Sequence, residues 1–311
     1  MKRFLKHTAA FFVMAFIGYV LAICFLGEVF PTYFKNDIRY RRAGGGQLFL
    51  RMNDARQTKD VDILFLGTSH CYRGFDPRIF KGAGYSSFNM GSSIQTALQT
   101  KVLLKRNLDR LNPKLIVYEV NPVAFGSDGV ESSVDLISND IIDFETFKMA
   151  LEINNLKTYN TMIFALYRQI TGFGKNKTAS RRYYNDSYVS GGFVEANMLY
   201  YDGKSRHIPK KYEFKPEQVK AFDEVLAMLK RKHYQYILVQ TPVTKDFYAS
   251  KINKAEFDAM MRARGRYYDF NRKVDLNDTL DFFDDNHLNQ DGVVAFNRKL
   301  IEVMKKDKLL P

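Results

Sequence analysis

Residues 61–70 read VDILFLGTSH, and this stretch decides how the rest of the chain can be arranged. It begins as a short, mostly apolar run that ends at Gly67, which is typical of a strand buried on both faces of a parallel sheet. Thr68, Ser69 and His70 follow at once, so a hydroxyl group and an imidazole are expected just beyond the strand. In parallel sheets, functional side chains collect beyond the carboxyl ends of the strands.

The chain after this stretch alternates between apolar runs and amphipathic segments. Further strands are predicted over residues 85–90, 114–120, 236–240 and 267–270, and helices over residues 96–111, 215–233, 254–264 and 292–305. Strands that alternate with helices form a parallel sheet with helices on both faces. The sequence therefore predicts an α/β fold of three α/β/α layers built on five parallel strands.

The N-terminus predicts a membrane anchor. Residues 9–26 carry no charge and no proline, and at about 1.5 Å per residue they are long enough to cross a bilayer. Lys2, Arg3 and Lys6 precede this run, so the positive-inside rule predicts a cytoplasmic N-terminus and an exported body. A cleaved signal peptide is the alternative, but the run is long and lacks a small-x-small site. We expect a single-pass protein whose main domain is extracytoplasmic, in a bacterial-type cell envelope.

Between residues 127 and 211 the alternation stops, and we interpret this segment as an insertion. Residues 144–170 predict one or two helices, and residues 175–203 are polar, rich in Tyr and contain Gly. The insertion either caps the site and binds substrate or is a structural excursion without such a role. The expected organisation is an anchor over residues 1–30, a juxtamembrane linker over residues 31–60 and one domain over residues 61–311.

Charge and cysteine content narrow the choice of partners. The formal net charge is +13, which favours an anionic environment such as lipid headgroups or an acidic polymer. Nucleic acid is not expected, because the sequence contains no zinc-finger spacing, no RNP-like aromatic strand and no long basic helix. Cys24 lies in the apolar run and Cys71 lies beside Ser69, so we expect no disulfide framework.

Three side chains that can form a catalytic triad lie at opposite ends of the predicted domain. Ser69 follows the first strand, whereas Asp284 and His287 stand three positions apart before the closing helix. A serine hydroxyl needs a base to take its proton, and that base is usually a His oriented by a carboxylate. In an Asp-x-x-His turn the carboxylate can hold Nδ1–H while Nε2 faces the serine. Asn121, which follows the third strand, would join them.

These segments resemble the blocks of the SGNH (GDSL-like) hydrolase superfamily over residues 62–292, apart from the insertion. Gly67-Thr68-Ser69 is similar to the first block, with Thr68 in place of the usual Asp. Asn121 corresponds to the third block, although Val120 precedes it where the family often has Gly. Asp284-x-x-His287 is similar to the fifth block and is followed by a helix, as in the family. The resemblance implies a flavodoxin-like sheet and a Ser69-Asp284-His287 triad.

The resemblance also implies an oxyanion hole, and here the second block departs from the family pattern. Residues 88–96 read FNMGSSIQT, and the family's oxyanion-hole Gly aligns with Ile94. A backbone N–H can donate from Ile as well as from Gly, so Ile94 and Gly91 are both candidates. The N–H of Ser69 and the side-chain amide of Asn121 would supply the other donors.

Several neighbouring residues are given ordinary roles. His70 either tunes the site or caps the following helix, and Cys71 is not expected to be the nucleophile because Ser69 holds the strand end. Arg73 and Asp76 are expected to pair or to cap a helix. No supporting Cys or carboxylate cluster accompanies the His residues, so we expect neither a metal nor another cofactor.

Exported, single-span SGNH proteins resemble the D-alanine transfer protein family and alginate O-acetylation proteins. The resemblance therefore implies a serine esterase or O-acyltransferase that acts on acyl esters, acetyl esters foremost, of a cell-envelope glycan. A membrane-bound acyltransferase is an expected partner. The alternative is a non-catalytic scaffold or binding partner of a membrane acyltransferase or export assembly, and a third hypothesis is a lipase that acts on the adjacent bilayer.

Overall fold

The computed structural model describes residues 1–30, 33–42, 46–172, 179–196 and 198–310. Its strands are β1 (Ile63–Leu66), β2 (Ser87–Asn89), β3 (Leu115–Glu119), β4 (Arg182–Tyr183), β5 (Asp186–Val189), β6 (Phe193–Ala196), β7 (Gln235–Gln240) and β8 (Tyr267–Asp269). Its helices are α1 (Lys2–Val29), α2 (Leu48–Gln57), α3 (Ser69–Gly74), α4 (Pro77–Gly82), α5 (Ala97–Leu111), α6 (Pro122–Phe125), α7 (Val130–Asn139), α8 (Phe144–Ile153), α9 (Leu156–Thr171), α10 (Pro216–Arg231), α11 (Lys245–Ala249), α12 (Lys254–Arg262) and α13 (Gln290–Lys306), with a 3-10 turn at Phe270–Arg272.

Five of the strands form one sheet in the order β2-β1-β3-β7-β8, and every neighbouring pair is parallel. In chain order this is 2-1-3-4-5, the doubly wound arrangement whose ligand crevice lies where the strand order reverses. That reversal falls between β1 and β3. The predicted flavodoxin-like α/β/α fold is confirmed, and four of the five strands lie within the residues predicted for them, whereas β7 begins one residue earlier, at Gln235.

The sheet is buried on both faces because its inner strands are largely apolar, β1 at every position. All four residues of β1 are buried, and side chains of a strand alternate between its two faces. Phe65 of β1 belongs to the same core cluster as Phe296 of α13, whereas Tyr118 of β3 packs on Phe222 of α10. Helices α13 and α10 therefore cover opposite faces of one sheet.

The chain forms two compact units. Unit 1 joins Met1–Arg42 to Ser133–Thr178, and unit 2 joins Ala43–Ser132 to Ala179–Pro311 and contains the whole parallel sheet. In unit 1, helix α1 is long and apolar enough to cross a membrane. Helix α9 packs against α1, where Ile23, Ile38 and Phe164 form a small buried cluster.

The predicted linker over residues 31–60 is wrong in its second half. Leu48, Met52 and Ala55 are buried at helical spacing in α2, which belongs to unit 2. A buried apolar face at this spacing stabilises a helix against neighbouring elements, which a solvated linker would lack. Gly44 and Gly45, which suggested flexibility, lie outside the described residues.

The insertion over residues 127–211 divides between the two units. Residues 144–170 hold the two helices α8 and α9, separated by Asn154 in the left-handed conformation and Asn155 as the N-cap of α9. Residues 179–211 belong to unit 2, where β4, β5 and β6 form a three-stranded antiparallel sheet. This sheet was not predicted, because its strands have only two to four residues and their sequence is Tyr-rich and polar.

Gly67 joins β1 to the predicted nucleophile at a position that admits no side chain. Its φ of +142° is one that L-residues rarely adopt. A Cβ here would lie 2.7 Å from Glu119 Cβ and 2.8 Å from the Glu119 carbonyl oxygen. The β1–α3 turn can therefore approach β3 this closely only with glycine.

We expect Gly67→Ala to lower the free energy of unfolding of unit 2 by about 2–4 kcal/mol, through backbone strain and steric overlap. Gly82→Ala is the matched control, since a Cβ there meets nothing within 4 Å and the residue ends α4. Urea unfolding of both variants followed by near-UV circular dichroism measures the difference. Equal stability of Gly67→Ala and wild type would contradict this account.

Candidate active site

The sheet brings together side chains that are distant in sequence. Ser69 is the first residue of α3, directly beyond β1, and Asn121 is the N-cap of α6, directly beyond β3. Because β1 and β3 are parallel neighbours, both residues leave the sheet at the same edge, where the strand order reverses. Asp284 and His287 lie in the loop that precedes α13 and reach the same edge.

Ser69, His287 and Asp284 form a continuous hydrogen-bonded chain. His287 Nε2 lies 2.9 Å from Ser69 Oγ, and His287 Nδ1 lies 2.9 Å from Asp284 Oδ2 and 3.1 Å from Oδ1. An ionised carboxylate can only accept, so Nδ1 carries the proton and Nε2 is left to accept the serine proton. This is the arrangement in which an imidazole acts as general base toward a serine.

A local turn holds Asp284 and His287 in this geometry. Asp284 Oδ1 accepts the backbone N–H groups of Asn286 and His287 at 2.9 and 2.7 Å, and Phe283 N–H donates to the His287 carbonyl at 3.1 Å. Burial opposes ionisation of Asp284, but the hydrogen bond and charge of His287 and the two backbone N–H groups lower its pKa overall. The carboxylate is therefore ionised at neutral pH and ready to orient the imidazole.

Aromatic stacking fixes the plane of the His287 ring. Phe283 stacks on it with an interplanar angle of 9° and a centroid distance of 5.4 Å. The Arg73 guanidinium lies 5.4 Å from the Phe283 centroid and pairs with Asp186 through two hydrogen bonds of 2.7 and 2.8 Å.

Arg73 thus pairs, as expected, and Asp76 caps α4 by accepting from the backbone N–H of Arg78.

His70 and Cys71 lie beside the site with little chemical reactivity of their own. Burial and the neighbouring His287 lower the pKa of His70 to about 3, although Asp284 opposes this, so His70 is neutral at neutral pH. Its Nδ1 lies 3.2 Å from Thr241 Oγ1. Burial raises the pKa of the Cys71 thiol well above its usual range, and the thiol donates to Asn89 Oδ1.

The oxyanion-hole candidates are not placed alike. Ile94 lines the cleft beside Ser69 and has a φ of +45°, which is uncommon for a β-branched residue. Gly91 donates its N–H to Asn89 Oδ1 at 3.1 Å, and its Cα packs so closely on Cys71 and Thr68 that a Cβ would lie 2.9 Å from each. The geometry therefore favours Ile94 over Gly91.

Asn121 is oriented by its own helix cap. Its Oδ1 accepts the backbone N–H of Val123 at 3.0 Å. The amide nitrogen Nδ2 is therefore turned toward the cleft, where it lies 3.4 Å from Thr68 Oγ1. Ser69, as the first residue of α3, has an N–H without an intrahelical acceptor. These two donors and the Ile94 N–H are the groups that can face a developing oxyanion.

Asn121→Ser is expected to lower kcat for ester hydrolysis roughly 10²–10³-fold with little change in KM, because one oxyanion donor is lost. Serine retains an acceptor for the Val123 N–H, so the cap of α6 is preserved. The matched control is Asn155→Ser, which replaces the N-cap of α9 and should leave kcat unchanged. A normal kcat for Asn121→Ser would remove Asn121 from the oxyanion hole.

Glu119 is a site residue that the sequence analysis missed. It ends β3 fully buried, and its Oε2 accepts both the backbone N–H of Thr68 at 2.7 Å and the Thr68 hydroxyl at 3.0 Å. Burial raises the pKa of Glu119 to about 7, although the two bonds from Thr68 oppose the rise. A sequence signal existed: an acidic residue closes an otherwise apolar strand two positions before Asn121.

The raised pKa of Glu119 predicts how stability depends on pH. Between about pH 4.5 and 7 the Glu119 carboxyl binds more protons in the folded protein than in the unfolded chain, so its contribution to the free energy of unfolding falls as pH rises, by about 3 kcal/mol in total. His70, whose pKa is lowered by burial, contributes in the opposite direction, so the effect of Glu119 is read as the difference between wild type and a variant. We expect Glu119→Gln, which keeps an acceptor for Thr68, to lose this contribution. Urea unfolding of unit 2 at pH 5 and pH 8 measures it.

Glu224→Gln is the control, because Glu224 pairs with Lys101 at the surface and its pKa is lowered by that hydrogen bond. Its stabilising charge is fully present above the unfolded pKa, so the difference between pH 5 and pH 8 should equal that of wild type. If the free energy of unfolding of Glu119→Gln changes between pH 5 and pH 8 by the same amount as that of wild type, the raised pKa of Glu119 is refuted.

A cleft of about 280 Å³ opens beside Ser69 and His287. Its apolar walls are formed by Ile94, Pro122, Val123, Tyr212, Val243 and Phe247. This is at the small end of ligand pockets and suits a short acyl group with part of its alcohol. Within the part of the chain that the structure describes, no group of three or more His, Cys, Asp or Glu residues is arranged to hold a metal ion.

Comparison with known proteins finds distant structural similarity. No family model matches the chain, and no curated protein matches it. A Streptococcus pneumoniae protein described as a platelet activating factor is 12% identical, with 82% of this chain and 88% of that chain covered, at a TM-score of 0.40. A Bacteroides fragilis protein described as an acylhydrolase is 11% identical, with 83% and 94% covered, at a TM-score of 0.40.

A third similar structure is a Desulfitobacterium hafniense protein described as a lipolytic protein of the G-D-S-L family. It is 11% identical, with 78% of this chain and 99% of that chain covered, at a TM-score of 0.40. Of these three neighbours, the third bears the name of the G-D-S-L family. Because the TM-scores are only 0.40, these structures do not assign the site, and its assignment depends on its own geometry.

Proposed function

We propose that this chain is a serine esterase or O-acyltransferase that acts on acyl esters, acetyl esters foremost, of a cell-envelope glycan. The observation that carries the proposal is the 2.9 Å contact between His287 Nε2 and Ser69 Oγ, with Asp284 at Nδ1. A hydroxyl held in this way is activated for attack on an ester carbonyl.

The first half of the reaction forms an acyl-enzyme. Ser69 Oγ attacks the carbonyl carbon while His287 Nε2 takes its proton, and ionised Asp284 stabilises the imidazolium. The negative charge on the carbonyl oxygen is met by the N–H groups of Ser69 and Ile94 and by the Asn121 amide. When the tetrahedral intermediate collapses, His287 returns the proton to the departing alcohol.

The second half decides between hydrolysis and transfer. His287 takes a proton from water or from a sugar hydroxyl, whose oxygen attacks the acyl carbon and releases Ser69. Two features favour an acceptor that is an anionic, membrane-proximal polymer. The first is a pair of cations at the cleft, where the Lys251 ammonium lies 4.3 Å from the ring centroid of Phe247. Burial and the neighbouring charge of Lys210 lower the pKa of Lys251. The other feature is the apolar helix α1, which we propose to be a retained anchor with its N-terminus in the cytoplasm.

The test is hydrolysis of a short-chain aryl ester by the full-length protein. Ser69→Ala is expected to lower kcat roughly 10⁴-fold or more, as loss of a triad nucleophile does. Ser190→Ala is the control, because Ser190 lies in the turn after β5 and bonds Arg181 rather than a cleft residue. Equal rates for Ser69→Ala and wild type would overturn the triad.

Two further measurements separate the rival functions. A fluorophosphonate probe should label wild type and not Ser69→Ala, whereas an unlabelled, folded wild type favours the scaffold. Addition of a glycan with free hydroxyls should divert the acyl group from water if the enzyme is a transferase. In that case we propose that a membrane-bound acyltransferase is the partner that supplies the acyl group. Preference for long-chain over acetyl esters would instead favour a lipase.

A further inference from the structure

Helices α8 and α9 of unit 1 expose large apolar side chains. On α8, Phe144, Phe147 and Leu151 are 68%, 47% and 51% exposed, and their i, i+3, i+7 spacing places them on one face. On α9, Leu156 and Ile170 are 64% and 75% exposed. Single exposed apolar residues are ordinary, but a helix face of this kind marks a surface that binds an apolar partner.

Helix α9 lies alongside α1 and runs in the same direction. Tyr19 OH donates to Asn160 Oδ1 at 2.5 Å, and Arg168 pairs with Glu28 at 2.8 Å. The two contacts are nine positions apart on α1 and eight positions apart on α9, so the helices lie side by side over about 13 Å at 1.5 Å per residue. Between these contacts, Gly27 lies so close to Phe164 that a Cβ would be 2.6 Å from its ring.

The two helices join in a hairpin that pairs several of its polar groups internally. Helix α8 ends at Asn154 and α9 begins after Asn155, and Gln169 bonds the backbone of Ile142 at the other end of the pair. Asn155 Oδ1 accepts the Lys157 N–H, and Asn154 Oδ1 accepts from a tyrosine hydroxyl of α9. Internal pairing of this kind is what a segment needs when it leaves water for lipid.

We propose that the α8–α9 hairpin is a second membrane contact, which lays its apolar face in the outer leaflet beside α1. Lipid is the occupant that the structure favours, because the hairpin is packed along the part of α1 that ends at Glu28, and this part of α1 exposes Leu21 and Phe25. Helix α9 extends from Arg168 back to Leu156, about 18 Å at 1.5 Å per residue, which compares with the ~15 Å of hydrocarbon in one leaflet before any tilt of α1.

A cation at the edge of the apolar face suits an anionic headgroup layer. Lys148 lies 4.9 Å from the ring centroid of Phe144, so its ammonium sits at the edge of that face. Long basic side chains cover apolar surface with their methylene groups while the charge reaches the headgroups. The inference extends the proposed anchor and rests on α1 being retained, as its side-chain contacts with α9 favour.

The test is the depth of a fluorophore in the full-length protein, reconstituted in vesicles of phosphatidylethanolamine and phosphatidylglycerol. In a Cys24→Ser background, single cysteines replace Phe147 or Leu151, with Phe12→Cys as the anchor control and Asp109→Cys of unit 2 as the aqueous control. Cys71 is buried with a raised thiol pKa, so it stays unlabelled. We expect headgroup-proximal nitroxide lipids to quench the Phe147 and Leu151 positions at least about twofold more than Asp109.

The controls separate failure of the hairpin from failure of the anchor. Quenching at Phe12 with none at Phe147 or Leu151 overturns the hairpin and leaves the anchor standing. No quenching at Phe12, or a mature chain that begins after residue 29, overturns both. Disulfide cross-linking of Phe147→Cys copies without lipid quenching assigns the face to a second copy and also overturns the proposal. A far-UV circular dichroism spectrum equal to that of wild type shows that each variant is folded.

Discussion

The site depends on one buried interaction, in which the Glu119 carboxylate accepts the backbone N–H and the hydroxyl of Thr68. Through it, the end of β3 holds the turn that presents Ser69. The same Thr68 hydroxyl oxygen accepts the His70 N–H and so caps the helix that Ser69 begins. A carboxylate is costly to bury, and here the cost is offset by two charge-assisted hydrogen bonds and by partial protonation.

That interaction imposes further constraints on the sequence around it. Glu119 can approach the turn only because Gly67 has no Cβ and adopts a φ closed to other residues. With β1 and β3 in parallel register, Asn121 then leaves the sheet next to Ser69, and its amide faces the Thr68 hydroxyl. The sequence resemblance placed Thr68 where the family usually has Asp. In this fold the carboxylate comes instead from the neighbouring strand.

How much of the fold and the site could be predicted depends on how far apart in the sequence the interacting residues lie. The five parallel strands and their helices were predictable because hydrophobic periodicity is local. The Asp284-x-x-His287 turn was recognisable for the same reason, since both residues share one short loop. Its approach to Ser69 was expected only from strand-end topology, and the 2.9 Å contact agrees with that expectation without testing catalysis.

Other features were unpredictable because their causes lie far apart in sequence. Glu119 looks like a charge at the end of a strand until the turn after β1 is placed against it. The choice between Ile94 and Gly91 required the partner of the Gly91 N–H and the place of Ile94 in the cleft, which no pattern in residues 88–96 reveals. Likewise, α2 was taken for part of a linker because its apolar residues are few, and their burial depends on packing within unit 2.

Unit 1 shows why hydropathy alone describes an apolar N-terminal helix incompletely. A signal sequence and an anchor share length and composition, so the apolar run cannot distinguish them. We base the proposal of a retained anchor on the contacts of α1 with α9, because a leader removed after export has no need of a partner in the mature chain. Gly27 has no side chain and the Phe164 ring packs directly against it, and Glu28 forms an ion pair with Arg168 at the end of the helix. An ion pair and a fitted aromatic ring at this point favour a helix that stays with the chain and shares its lipid environment with the hairpin it supports.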